Sequence, residues 1–174
     1  MTLAPGADAA ALLGRLQSGT GASVKDSFAE LDLAPQGFRV LFEASWIRCP
    51  ATCTTRTPDL DWRQARTPAE LVRWSAGHDL DVFVPALLEV EDLHFFGAQA
   101  PGAGFALHRT DGVVGISNLW AEDAPLLSVW SDAVAVAAKT FPGCDLVGYE
   151  QGLDLDAAVS AGFSVIGPLR VWMC

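Results

Sequence analysis

VVGISNLWAEDAPLLSVWSDAVAVAAKTFPGCDLVGYE, residues 113–150, changes its apolar period twice and so reads as strand, helix, strand. The first eight residues alternate in the manner of a half-buried strand. Asp123 is the expected N-cap of the helix, with Pro125 in its first turn. Leu126, Leu127, Trp130, Val134, Ala137 and Ala138 then recur at helical spacing as far as Thr140. Pro142-Gly143 stops the helix, and DLVGYE (145–150) has the unbroken apolar character of a buried strand.

Working outward, residues 154–161 read as a short helix capped by Asp154 and ended by Gly162, and 163–173 as a last strand broken at Gly167-Pro168. Upstream, 93–99, 104–109 and 113–120 form an antiparallel meander, its second turn made by Thr110-Asp111-Gly112. Residues 84–90 read as a short helix, with a strand as the alternative. Thr67, Pro68 and Glu70 supply N-cap, first helical position and capping-box partner for a helix over 68–76. Residues 49–66, with Pro50 and Pro58 and no sustained period, read as a long loop of the kind that serves as a lid or binding element. A strand over 38–47 turns Phe38, Val40, Phe42, Ala44 and Trp46 to one face, and 8–18 reads as a helix capped by Asp8. The whole is a mixed α/β (α+β) domain with a largely antiparallel central sheet flanked by helices.

Bulk properties narrow the function. A chain of 174 residues, 51% hydrophobic, can bury one substantial core, and a single domain over 1–174 is expected. With 21 acidic and 11 basic side chains the formal charge is -10 and no basic cluster stands out, so nucleic acid and anionic membrane are not expected partners. No signal peptide or membrane-spanning run is evident, and the expected location is cytoplasmic. Cys49 and Cys53, spaced C-P-A-T-C, suit a metal or a disulfide, but no second Cys pair or His pair at ligand spacing completes a zinc site. Reduced thiols and no metal are therefore expected. His78, His94 and His108 are scattered.

The element order resembles that of the GCN5-related N-acetyltransferase (GNAT) family. GVVGISNLW looks like its fourth strand, APLLSVWSDAVAVAAKTF like the following helix, DLVGYE like its fifth strand, and LDLDAAVSAGFSVIGPLRVW like its fourth helix and closing strands. The likeness is good over 80–174 and rests on element order alone over 1–79. It implies a cleft where the fourth and fifth strands splay, an acetyl-CoA or other acyl-CoA whose pantetheine arm lies between them, and a pyrophosphate at the N-terminus of the next helix. Ser117, Asn118, Leu119 and Trp120 would be the coenzyme contacts.

Two departures stand out. The family's [RQ]-x-x-G-x-[GA] loop, whose bare N–H groups approach phosphate, is replaced by Leu119-Trp120-Ala121-Glu122-Asp123-Ala124. Two carboxylates there repel a phosphate by on the order of 3 kcal/mol per charge pair at about 5 Å. The family's helix tyrosine, which protonates the departing thiolate, falls at Ala158; the only tyrosine is Tyr149, beside Glu150. Tyr149 and Glu150, with Ser117 and Asn118 opposite, are the best polar cluster, although alternation lets only one of Tyr149 and Glu150 face the cleft. Glu150 or Glu43 is the candidate base, with Glu89 and Glu91 as further carboxylates and Arg170 and Trp172 as ligand-framing residues. The resemblance implies a divergent acyltransferase acting on an amine of a small molecule or amino acid, with a homodimer compatible. The alternative is a GNAT-like fold that has lost this chemistry and binds a ligand or partner, or runs an unrelated reaction.

Overall fold

The computed structural model describes residues 1–14, 21–53, 56–78, 82–99 and 102–174, and its eight described strands make one sheet. In chain order the elements are α1 (Ala9–Leu13), β1 (Ser23–Asp26), β2 (Arg39–Cys49), β3 (Arg63–Gln64), α2 (Pro68–Ser75), β4 (Leu93–Gln99), β5 (Gly102–Thr110), β6 (Val113–Ala121), α3 (Leu126–Thr140), β7 (Asp145–Glu150), α4 (Gly152–Ser160) and β8 (Ser164–Met173). The strand order is β1-β8-β2-β7-β6-β5-β4-β3. Neighbours are antiparallel except β6 and β7, which are parallel. The mixed, mostly antiparallel architecture expected from the sequence is the one found.

Alternation along the strands separates two cores. Phe96, Phe105, Leu107, Ile116 and Ile47 pack under Trp130, Ala133 and Val136 of α3 and Ala158 of α4. Phe95 and Ala106, which point the other way, pack under Leu71 and Trp74 of α2. A third cluster at the β1 end joins Val24 and Trp172 to Leu31 and Leu33. No helix among the described residues is long and apolar enough to cross a membrane.

Local signals hold where they are complete. Thr67 and Glu70 form the reciprocal capping box of α2, with Pro68 at its first turn. Asp111 and Gly112 both have positive φ in the β5–β6 turn, the geometry that matches strand twist. Asp8 caps α1 by accepting from the Ala10 N–H at 2.9 Å, while residues 15–18 of the helix expected over 8–18 lie outside the described residues.

The short helix expected over 84–90 is present, as a 3-10 helix over Pro85–Glu89. Other expectations are corrected. The stretch read as all loop contains β3 at the sheet edge, with Arg63 opposite Gly97 and Gln64 opposite Phe96. In β2 the deepest side chains are Ile47 and Cys49, whereas Val40 is 42% exposed. Helices cover the Ile47–Cys49 face, and an extra residue at Leu41 shifts β2 against β8 between Val40 and Phe42. β8 runs through Gly167-Pro168, where the sequence suggests a break, with a register irregularity at Ile166 just before it.

The long segment after β2 is anchored by a buried carboxylate. Asp132, in the middle of α3, is fully inaccessible. It accepts from the backbone N–H groups of Asp59 and Leu60 and from Trp62 Nε1 at 2.9–3.0 Å, and pairs with Arg56 at 2.9 Å. Burying a charge costs little once donors surround it, and losing those bonds strands several buried N–H groups. Asp132→Ala is expected to lower the unfolding free energy by about 2–4 kcal/mol in urea titration. Asp59→Ala, which removes only an exposed ion pair, should cost under about 1 kcal/mol; equal losses would show that Asp132 is not the anchor.

Candidate functional site

β6 and β7 are paired only at Val113–Asp145, Val114–Leu146 and Gly115–Val147. Both strands then continue, β6 to Ala121 and β7 to Glu150, without bonding each other. Each is held by its outer neighbour. β6 stays on β5 through Ala103–Ala121 and β7 stays on β2 through Ser45–Glu150. At the parting point a Cβ on Gly148 would stand 3.0 Å from the Ile116 carbonyl oxygen, so glycine permits the close neck of the slot. Asn118, with φ of 52°, forms a bulge where the β5–β6 register slips between Gly104 and Ala106. The bulge bends the far end of β6 away from β7. The slot therefore opens at the carboxyl ends of two parallel strands, where open α/β sheets expose backbone groups to ligands.

Glu150 ends β7 opposite Ser45 of β2. Register puts it on the face that α3 and α4 cover, because Gly148 and Leu146, two and four residues back, meet Ile47 and Cys49. Burial, and then the Asp154 carboxylate in the first turn of α4, push the Glu150 carboxyl up to about 7, against the opposing Gln151 N–H bond. Tyr149 faces the other way. Its ring stacks on Phe42 at 6.3 Å, takes Trp46 edge-on at 5.5 Å, and carries the Lys25 ammonium 4.1 Å from its centroid. Alternation has thus separated the two residues that the sequence places side by side.

Across the slot, Ser117 and Asn118 are exposed, and Asn118 Nδ2 donates to Ser117 Oγ at 3.1 Å. Leu119 packs into the α3-side core. Trp120 turns toward α2: a Cβ on Gly104 would lie 2.5 Å from Trp120 Nε1 and 2.6 Å from Trp74 Nε1, so both indoles rest on bare backbone. Glu43 lies on β2 opposite Arg170, which donates to it through Nε at 2.8 Å. It is engaged two strands from β6. Arg170 in turn stands over Trp172 at 5.5 Å. Glu89 and Glu91 precede β4, whose first residue pairs with His108 near the β5–β6 turn, the end of the sheet away from the slot's mouth.

The helix starts differ from expectation. Asp123 does not cap α3; Pro125 is its N-cap and makes no side-chain bond, so no N-cap side chain serves the first-turn amides. Asp123 sits two residues too early to reach them. Asp154 lies within the first turn of α4, which begins at Gly152 after Gln151. Asp154 itself is a neighbour that the sequence reading missed as part of the site; its i,i+4 spacing from Glu150 across a strand–helix junction is the only signal of it.

No family model matches the chain, and no curated protein is significantly similar to it. Solved structures are. A conserved protein of unknown function from Staphylococcus epidermidis superposes with a TM-score of 0.65 at 12% identity, over 88% of this chain and 71% of that one. A putative GNAT-family acetyltransferase from Novosphingobium aromaticivorans gives 0.60 at 14% identity, over 94% and 78%. A GCN5-related N-acetyltransferase from Sphaerobacter thermophilus gives 0.61 at 11%, over 88% and 59%. The chain has the GNAT fold. It spans little more than half of the longest of these three neighbours, and at such identities the likeness is one of fold alone.

The ionisation of Glu150 couples to stability. Its folded pKa of about 7 lies above the ordinary 4.5, so the folded state binds this proton more tightly than the unfolded state. That contribution is full below about pH 4.5 and lost as pH rises through 7. Glu150→Gln, a fixed mimic of the protonated form, should match the parent below pH 4.5 and exceed it by ~1–3 kcal/mol above pH 7.5. Parallel stability–pH curves would show that burial does not hold the proton.

Proposed function

We propose that the protein is an acyl-CoA-dependent N-acyltransferase acting on an amine of a small molecule or amino acid, with Glu150 as general base. The observation that carries this reading is a carboxyl of near-neutral pKa at the open end of a slot between parallel strands. A base poised near the working pH combines ready proton acceptance with a large deprotonated fraction. Glu43, tied to Arg170, is the weaker candidate for that role. Tyr149, on the opposite face and packed against Phe42 and Trp46, is given no role in proton transfer.

The coenzyme fits in one part and is opposed in another. The unpaired edges of β6 and β7 suit the amides of a pantetheine arm, with Ser117, Asn118, Leu119 and Trp120 along one side. The first-turn amides of α3 suit a phosphate. Glu122 and Asp123, both exposed just before that helix, oppose it. When bound, the coenzyme supplies an acyl group activated as a thioester. Glu150 takes the proton that the amine sheds, directly or through a water, and α3 and α4 screen the carboxyl from bulk solvent so that it stays near neutrality.

The two carboxylates are the specific observation behind a second reading, in which the GNAT fold binds a ligand or partner without coenzyme chemistry. Calorimetric titration with acetyl-CoA and with free CoA separates the two: micromolar binding supports the transferase, and no heat at high concentration overturns it. Glu122→Gly with Asp123→Ala should tighten CoA binding by roughly tenfold at low salt, and unchanged affinity would mean that phosphate does not approach α3. For the transferase, kcat/KM should climb with pH through about 7 and then level. Glu150→Gln should lower kcat by roughly 100-fold or more and remove that rise; an unaltered profile would take Glu150 out of the mechanism.

A further inference from the structure

Cys49 closes β2 and Cys53 closes the turn that follows, and their sulfurs stand 2.6 Å apart. The turn is firmly held. The Cys53 N–H donates to the Pro50 carbonyl at 2.9 Å, and Asp145 accepts from the Ala51 N–H at 2.8 Å while pairing with Arg48. Cys49 is 1% exposed, whereas Cys53 is half-buried with Sγ 3.7 Å from the Gly162 carbonyl oxygen. Cys144 lines the same small cavity. One accessible thiol is thus fixed against one buried thiol by backbone bonds that neither sulfur makes.

We propose that Cys49 and Cys53 are a redox-active dithiol, a modification site that closes to an intramolecular disulfide on exposure to a low-molecular-weight disulfide such as oxidised glutathione. The Cys53 thiolate attacks one sulfur of the oxidant and releases one glutathione, leaving a mixed disulfide on Cys53. Cys49 then attacks Cys53 Sγ, its proton passing to the departing second glutathione. Two thiols are oxidised to one disulfide and one disulfide is reduced to two thiols. Roles follow from position. Burial, the hydrogen bond and charge of Cys53, and the charge of Asp145 hold Cys49 up to about 12, so it waits protonated. Capping Cys53 as a mixed disulfide removes that neighbour's charge, which eases ionisation of Cys49 when it must act. The loop closed is only five residues long, so cross-linking constrains the unfolded chain little, as suits a reversible site rather than a structural staple.

The test uses the full chain with Cys174→Ser, which removes the exposed terminal thiol. After reduction it is incubated with reduced and oxidised glutathione mixtures and read by intact mass and peptide mapping. The expected product has lost two hydrogens and carries a Cys49–Cys53 bridge, unchanged when Cys144→Ala is added. Cys49→Ala should accumulate glutathione on Cys53, and Cys53→Ala should leave Cys49 unmodified. A glutathione adduct that persists on Cys53 with Cys49 intact, a bridge through Cys144 in its place, or no oxidation at these thiols would each overturn the proposal.

Discussion

A parallel strand pair that stops after three residues leaves backbone amides and carbonyls with nothing opposite them, and the candidate site depends on that constraint. β6 cannot follow β7 because β5 holds it and the Asn118 bulge turns it aside. β7 cannot follow β6 because β2 holds it as far as Ser45–Glu150. The gap is therefore a property of the whole sheet. Glu150 inherits its environment from the same arrangement: it ends the strand, the next residues start α4, and the Asp154 carboxylate of that helix adds to burial in keeping the proton on. Backbone topology and side-chain acidity have one cause here.

The other organising charge, Asp132, works in the opposite sense. Glu150 is crowded by burial and a like charge, whereas Asp132 is deeper yet surrounded by donors from one contiguous stretch, Asp59 to Trp62, and by Arg56. Such a carboxylate serves as a clamp. It fastens a segment with almost no secondary structure of its own across α3 and brings Trp62 against Phe105 at 4.7 Å. A loop that looks like a lid in the sequence is, along this part, pinned to α3, with the half-buried Trp62 packed against the core.

Legibility followed the range of the interaction. The capping box of α2, the β5–β6 turn and the strand–helix–strand run that begins at Val113 are written in neighbouring residues, and these were readable. The three-residue extent of the β6–β7 pairing is not, since it depends on where β2 and β5 let go. β3 is two residues long and exists only because β4 offers an edge. In β2 alternation rightly sets Phe42 and Trp46 on one face, where both meet Tyr149, but does not show that helices bury the other face at Ile47 and Cys49. In the site, alternation correctly separated Tyr149 from Glu150, but Asp123 looked like a cap because Pro125 conceals how late α3 begins. Asp154 was invisible as a site residue because its influence crosses a junction between elements.

The place of β2 between β7 and β8 has a consequence for how the chain reaches this state. Residues 39–49 must find partners at 145–150 and 164–173, about a hundred residues away. The meander can zip locally, but the outer wall of the slot forms only when the two ends of the chain meet. Closing such long loops is entropically slow. The slot thus depends on contacts of long sequence separation, and the stretch from residue 80 onward lacks the strand that completes its outer wall.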